Sequence, residues 1–167
     1  MLDHALLLIF PAVMAFGGAM DLFTMTIPNR VSLALVVAFF VAAPFAGLGW
    51  AGLAMHLAAG LVVLAVGFVM FARGWLGGGD AKLLAAAALW MGFENLLAYV
   101  VLVAVAGGLL ALGVLAYRCI TPPSWLSKHD WAMRLHAKGS GMPYGVALAG
   151  AGLWIYPATF WFSTLAS

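Results

Sequence analysis

Two short polar stretches interrupt a chain with almost no charge: DLFTMTIPNR at residues 21–30 and GGGDAKLL at residues 77–84. Each carries one aspartate, Asp21 and Asp80. Two carboxyls brought within a few ångströms cannot both ionise freely, so one keeps a proton and the pair titrates as a unit. Such a pair activates water: the carboxylate takes its proton while the acid polarises a carbonyl. Acids near a membrane also serve as proton or ion relays, and an acid at a helix N-terminus is favourable on structural grounds alone. The residue types leave all three readings open, so the elements that carry the acids must decide.

Of the 167 residues, 66% are hydrophobic and only 7% are charged. A soluble domain of this size needs a polar shell that this composition cannot supply. The apolar runs do not alternate with polar residues, which argues against a β-barrel. The expected fold is therefore all-α: a polytopic helical bundle embedded in membrane lipid, one domain over residues 1–167. Six apolar segments are legible, at roughly 4–23, 31–48, 53–72, 81–96, 97–117 and 143–164, each judged against the ~20 residues of a spanning helix. Residues 1–20 end in Gly18-Ala19-Met20 but carry Asp3 and no basic residue, the wrong sign for a cleaved signal. Cys119 is the single cysteine and the four histidines are scattered, so no metal and no cofactor is expected. The small positive balance gives no reason to expect nucleic acid as a partner.

The positions of the charges supply a topology. Arg30, Arg73, Lys82, Arg118, Lys128, Arg134 and Lys138 all fall on one side of a six-segment chain, with Asp3 and Glu94 on the other. The positive-inside rule then puts both termini outside and the basic loops in the cytoplasm. Asp21 closes segment 1 and Asp80 opens segment 4 on that same cytoplasmic side. Asp80 sits where the helix dipole favours it; Asp21, at a helix C-terminus, sits where the dipole opposes it. Segment 4 is short: Ala81 to Gly92 gives ~18 Å of helix against a ~30 Å hydrocarbon core. A recessed Gly77–Asp80 end would put Asp80 in a wet notch, where irregular glycine backbone is tolerated. The long loop at 118–142 has the composition of a short interfacial helix around Trp125, Leu126, Trp131 and Met133.

Other residues read more plainly. Gly77, Gly78 and Gly79 lack the Gly-Lys-Ser/Thr ending of a phosphate loop and instead allow backbone to pass close to Asp80. Lys82 is a cytoplasmic anchor before it is a modulator of Asp80. Pro28 stops the first helix, and Asn29 is placed to cap the second. His56 reads as a hydrogen-bonded packing residue, Gly107 and Gly108 as close helix contacts, and Tyr144 as an interfacial anchor.

Asp21 with Ile27-Pro28-Asn29, then Gly77-Gly78-Gly79-Asp80-Ala81-Lys82-Leu83, then Pro143-Tyr144-Gly145-Val146-Ala147, together resemble the type IV prepilin peptidase family. The match is nearest to its short branch, which serves tight-adherence (Flp-type) pili. The resemblance implies an intramembrane aspartic peptidase of the GxGD type in a bacterial inner membrane, with Asp21 and Asp80 as its catalytic acids. Gly77–Gly79, Lys82, Pro28 and Asn29 would shape the site. Its substrates would be prepilins and pseudopilins, cut between a short basic leader and a hydrophobic segment. Long members also N-methylate the product through a cysteine-bearing domain; no such cysteines occur here, so no methylation is expected. Relatives often carry basic residues soon after the first aspartate, where this chain has Phe23 and Met25. The rival readings are a proton-coupled transporter or channel and a non-catalytic assembly subunit. A relay is expected near mid-membrane within repeated halves, neither of which this sequence displays.

Overall fold

The computed structural model describes the backbone of residues 2–165 and the side chains of residues 5–165. All regular structure among them is helical: α1 (Leu2–Thr24), α2 (Asn29–Phe45), α3 (Trp50–Ala72), α4 (Gly78–Arg118), α5 (Asp130–His136), α6 (Tyr144–Ile155) and α7 (Phe160–Leu165), with a 3-10 turn at Tyr156–Ala158. Three of these are long and apolar enough to cross a membrane: α1 over Ala5–Thr24, α3 and α4. Leu8, Leu61, Phe68, Leu97 and Leu109 lie on their exposed faces. A water-soluble protein would bury most such residues; their exposure on long apolar helices suits a membrane protein. The chain is an all-helical membrane protein.

The helix count differs from the six expected segments, for identifiable reasons. Segments 4 and 5 run together as α4, and the break between them lies at Gly92 instead of beyond residue 96. Gly92 has φ 60° and ψ 175°, a conformation essentially reserved for glycine. The break reverses the chain. Before it, Leu83 lies against Gly17 and Trp90 against Phe10 of α1. After it, Tyr99 meets Leu148 and Gly107 meets Tyr144 of α6. Gly18 abuts Gly145 and Ala149, and Gly152 abuts Phe10, so α6 is antiparallel to α1. The two halves of α4 are therefore antiparallel to each other.

A chain reversal strips helical partners from the carbonyls before it. Side chains replace them. His56 Nδ1 bonds Leu89 O at 2.8 Å, and Trp161 Nε1 donates to Trp90 O at 2.7 Å. Trp90 Nε1 in turn donates to Leu35 O at 2.9 Å, tying α2 to the same point. Phe10, Phe39, Tyr156 and Trp161 pack around Trp90 as the aromatic end of the core. His56 is thus the hydrogen-bonded packing residue its sequence context suggested.

The last apolar segment is also divided. Pro157 has no N–H to continue α6, and the chain tightens into the 3-10 turn before α7. The expected interfacial helix is only α5; Trp125 and Leu126 lie in the turns ahead of it. Gly107 does permit a close helix contact, with the ring of Tyr144, whereas nothing approaches Gly108 within 4 Å.

Candidate functional site

The end of the bundle opposite the aromatic core is assembled from four chain segments. α1 stops one turn after Asp21. Met25 takes a left-handed φ of 55°, and its N–H returns to Asp21 O at 2.7 Å, the αL form of helix termination. Thr24 Oγ1 bonds Met20 O at 2.6 Å in the same turn. Basic residues are missing from this stretch, but a basic side chain arrives from elsewhere: Arg134 of α5 donates to Phe23 O, and Phe23 packs edge-on against Trp131. A cation at a helix C-terminus complements the macrodipole, so α5 does for α1 what a local arginine would do.

Asp21 is 5% exposed, the most buried acid among the described residues. Its position at the end of its own helix looked unfavourable from sequence. The structure corrects that reading: the carboxylate faces the N-terminus of a different helix. Gly145 N–H, at the second position of α6, donates to Asp21 Oδ2 at 2.7 Å. The positive end of α6 thus receives the negative group that α1 brings. The approach requires glycine, since a Cβ at residue 145 would stand 2.9 Å from both Cβ and Oδ2 of Asp21.

Asp80 enters from α4. Gly77 is the N-cap with extended φ/ψ, and Asp80 is three residues on, placed to reach back. The Asp80 carboxylate turns back over Gly77, where a Cβ would come within 2.6 Å of Oδ2. Asp80 Oδ1 is buried and has no hydrogen-bond partner. The two carboxyls are close enough to act on one another electrostatically, and Tyr144 is within electrostatic range of Asp80.

The remaining sequence candidates separate into two groups. Gly79 joins the acids: its backbone touches Ile27, where a Cβ would lie 3.1 Å from Ile27 Cβ. Ile27 also presses Cδ1 against Gly145, so one buried side chain keys α4, α6 and the 25–28 turn together. Pro28 supports that turn as the extended residue before α2. Gly78 packs on Phe71 of α3. Lys82 and Asn29 belong elsewhere. Asn29 is the first residue of α2 and makes no cap; its Oδ1 accepts from Lys82 Nζ at 2.9 Å. At 100° per residue Lys82 points ~200° away from Asp80, to the opposite face of α4.

Sequence reasoning about the individual residues missed Gly145 and Ile27. A backbone N–H donor leaves no side-chain signature; the only trace was Pro143-Tyr144-Gly145, met through resemblance. Tyr144 is also not the interfacial anchor expected: its ring turns inward over Gly107, with the hydroxyl 3.4 Å from Val103 O. Arg118 ties the two ends of the long loop together, donating to Leu135 O, Ser140 O and Ser140 Oγ at 2.8–2.9 Å. Among the described residues no cluster of three or more His, Cys, Asp or Glu side chains could hold a metal ion.

Two carboxyls from different helices, one gripped by a helix N-terminus and one with a free buried oxygen, form a place where a water and a peptide carbonyl could be held together. No curated protein and no solved structure matches the chain. The model of one family does match, over residues 8–112, a span that contains both aspartates. The chain is a peptidase of the membrane and belongs to the type IV leader peptidase family.

Proposed function

We propose that the protein is an intramembrane aspartic endopeptidase that removes the leader from prepilins at the cytoplasmic face, without methylating the product. The observation that carries the reading is the convergence of Asp21 and Asp80 beside the α6 N-terminus, with Asp80 Oδ1 buried and unpartnered. In this mechanism a water sits between the carboxyls. The ionised member takes its proton, the protonated member donates to the scissile carbonyl, and the tetrahedral intermediate collapses as a proton passes to the leaving amine. The glycines at 77–79 keep side chains out of the path of the substrate backbone.

The membrane arrangement that suits this chemistry has six crossings: α1, α2, α3, the two antiparallel halves of α4, and α6 with α7. Both termini then lie outside the bacterial inner membrane, with the acids and the 118–142 loop in the cytoplasm, where a prepilin keeps its basic leader. A tight-adherence prepilin is the substrate class that the motif resemblance favours. The deciding experiment is leader removal from such a prepilin by purified protein in lipid. Asp21→Asn and Asp80→Asn are each expected to insert normally and to leave the prepilin uncut. Near-normal processing by either variant refutes the aspartic mechanism.

A further inference from the structure

A groove of about 520 Å³ lies behind the acids, on the face of α4 to which Lys82 points. α2 and α3 both pack on α4 but scarcely touch each other, and the groove is the gap between them. Its floor is Ala85, Ala86 and Leu89, and its walls are apolar side chains such as Leu33 and Leu61. One end differs. There the lining residues are Lys82, Asn29 and, one turn deeper, Ser32.

The chemistry of that end is one-sided. The one partner of Lys82 Nζ is Asn29 Oδ1, so the ammonium keeps free protons and has no counter-ion among the described residues. Asn29 has its acceptor occupied and its amide N–H groups to give. Ser32 is 8% exposed, and its Oγ has no hydrogen-bond partner. Three donor groups and one uncompensated positive charge call for a ligand with acceptors only and negative charge. The apolar part sets the rest of the ligand. From Asn29 to Phe40 the groove runs eleven residues of helix, about 16 Å, or roughly half of a ~30 Å hydrocarbon core.

We propose that this groove binds one anionic phospholipid from the leaflet on the side of the acids. Its phosphodiester sits at Lys82 and Asn29, a glycerol ester carbonyl lies at the level of Ser32, and an acyl chain runs down the floor of Ala85, Ala86 and Leu89. A phosphodiester supplies acceptors without donors, and one acyl chain has the length of one leaflet. The ligand would fill the splay between α2 and α3 and brace the half of α4 that carries Asp80. The inference stands on the groove alone and is independent of the peptidase reading.

Native mass spectrometry of the full chain, purified in detergent and titrated with phosphatidylglycerol or phosphatidylcholine, tests it. One saturable phosphatidylglycerol adduct is expected, held more tightly than phosphatidylcholine. Lys82→Gln should weaken it about ten-fold, the loss that follows removal of one charge-assisted hydrogen bond. Leu61→Trp, which plugs the apolar wall from an exposed position, should weaken it as well, and Lys138→Gln in the distant loop should not. Equal retention of the two lipids, or an adduct indifferent to both groove variants, overturns the proposal. So does a photo-crosslinker at Leu33 that captures a prepilin segment in membranes in place of phospholipid.

Discussion

Gly145→Ala isolates the contact that sets Asp21. The φ of Gly145 is not in the left-handed region, so alanine fits the backbone, and only the new methyl matters. That methyl would stand 2.9 Å from Asp21 Cβ, Asp21 Oδ2 and Ile27 Cδ1, whereas ordinary contact begins at 3.4 Å. The difference, 3.4 − 2.9, is 0.5 Å that the carboxylate or the helix must give. The 2.7 Å bond from Gly145 N–H is lengthened or lost, a charge-assisted interaction of about 1.5–3 kcal/mol. Misplacement of a reacting group by 1 Å costs roughly 100-fold, so a half-ångström shift combined with a weakened bond predicts a loss in kcat of about 10- to 100-fold. Helix propensity favours alanine by about 1 kcal/mol, which offsets part of the strain and keeps the protein folded. The assay is kcat and KM for prepilin leader removal, with a thermal melt of the same sample. Gly150→Ala, on the same helix with open space at its Cβ, is the matched control. Cleavage by Gly145→Ala within two-fold of wild type would refute the argument, and so would equal damage from the control.

Further outcomes follow from the same geometry. The rate of leader removal should be bell-shaped in pH, because protonating both acids removes the base and ionising both removes the acid; a monotonic profile contradicts proton sharing. On the proposed aspartic mechanism EDTA should leave that rate unchanged, and loss restored by zinc would end that reading. Gly92→Ala should cost roughly 3 kcal/mol or more in stability, combining a glycine-only backbone with a Cβ 2.8 Å from His56 Cε1, and detergent melting measures it. Cys119, exposed and the single cysteine, is a natural topology probe: an impermeant maleimide should label it in inverted vesicles and not from outside intact cells.

What the sequence made legible was whatever side chains announce. The uniform apolar runs located α1 and α3 to within a few residues, and Asp21 and Asp80 stood out as acids in the two short polar stretches. The Gly77–Asp80 stretch announced a helix start with an acid in its first turn. What stayed hidden was carried by backbone or by distant partners. The Gly92 reversal lies inside an unbroken apolar run, and glycine in such a run usually means close packing. The carbonyls it frees are matched by His56 and Trp161, far away in sequence. The dipole argument against Asp21 counted only its own helix, because nothing local reveals that α6 begins beside it. Lys82 and Asn29 sat near the acids in sequence, yet two residues along a helix is enough to turn a side chain to the opposite face.

The bond from Gly145 to Asp21 spans 124 residues, and that interval has a meaning in time. At ~5–20 residues per second, synthesis takes roughly 6–25 s to go from one partner to the other. Throughout that interval α1 is made while the donor that fixes its carboxylate does not yet exist. On the proposed mechanism, a growing chain that has already inserted Asp21 and Asp80 is inert until α6 emerges and arms it. By the same mechanism, a ribosome stalled between Asp80 and α6 leaves a membrane fragment that carries both acids and cuts nothing.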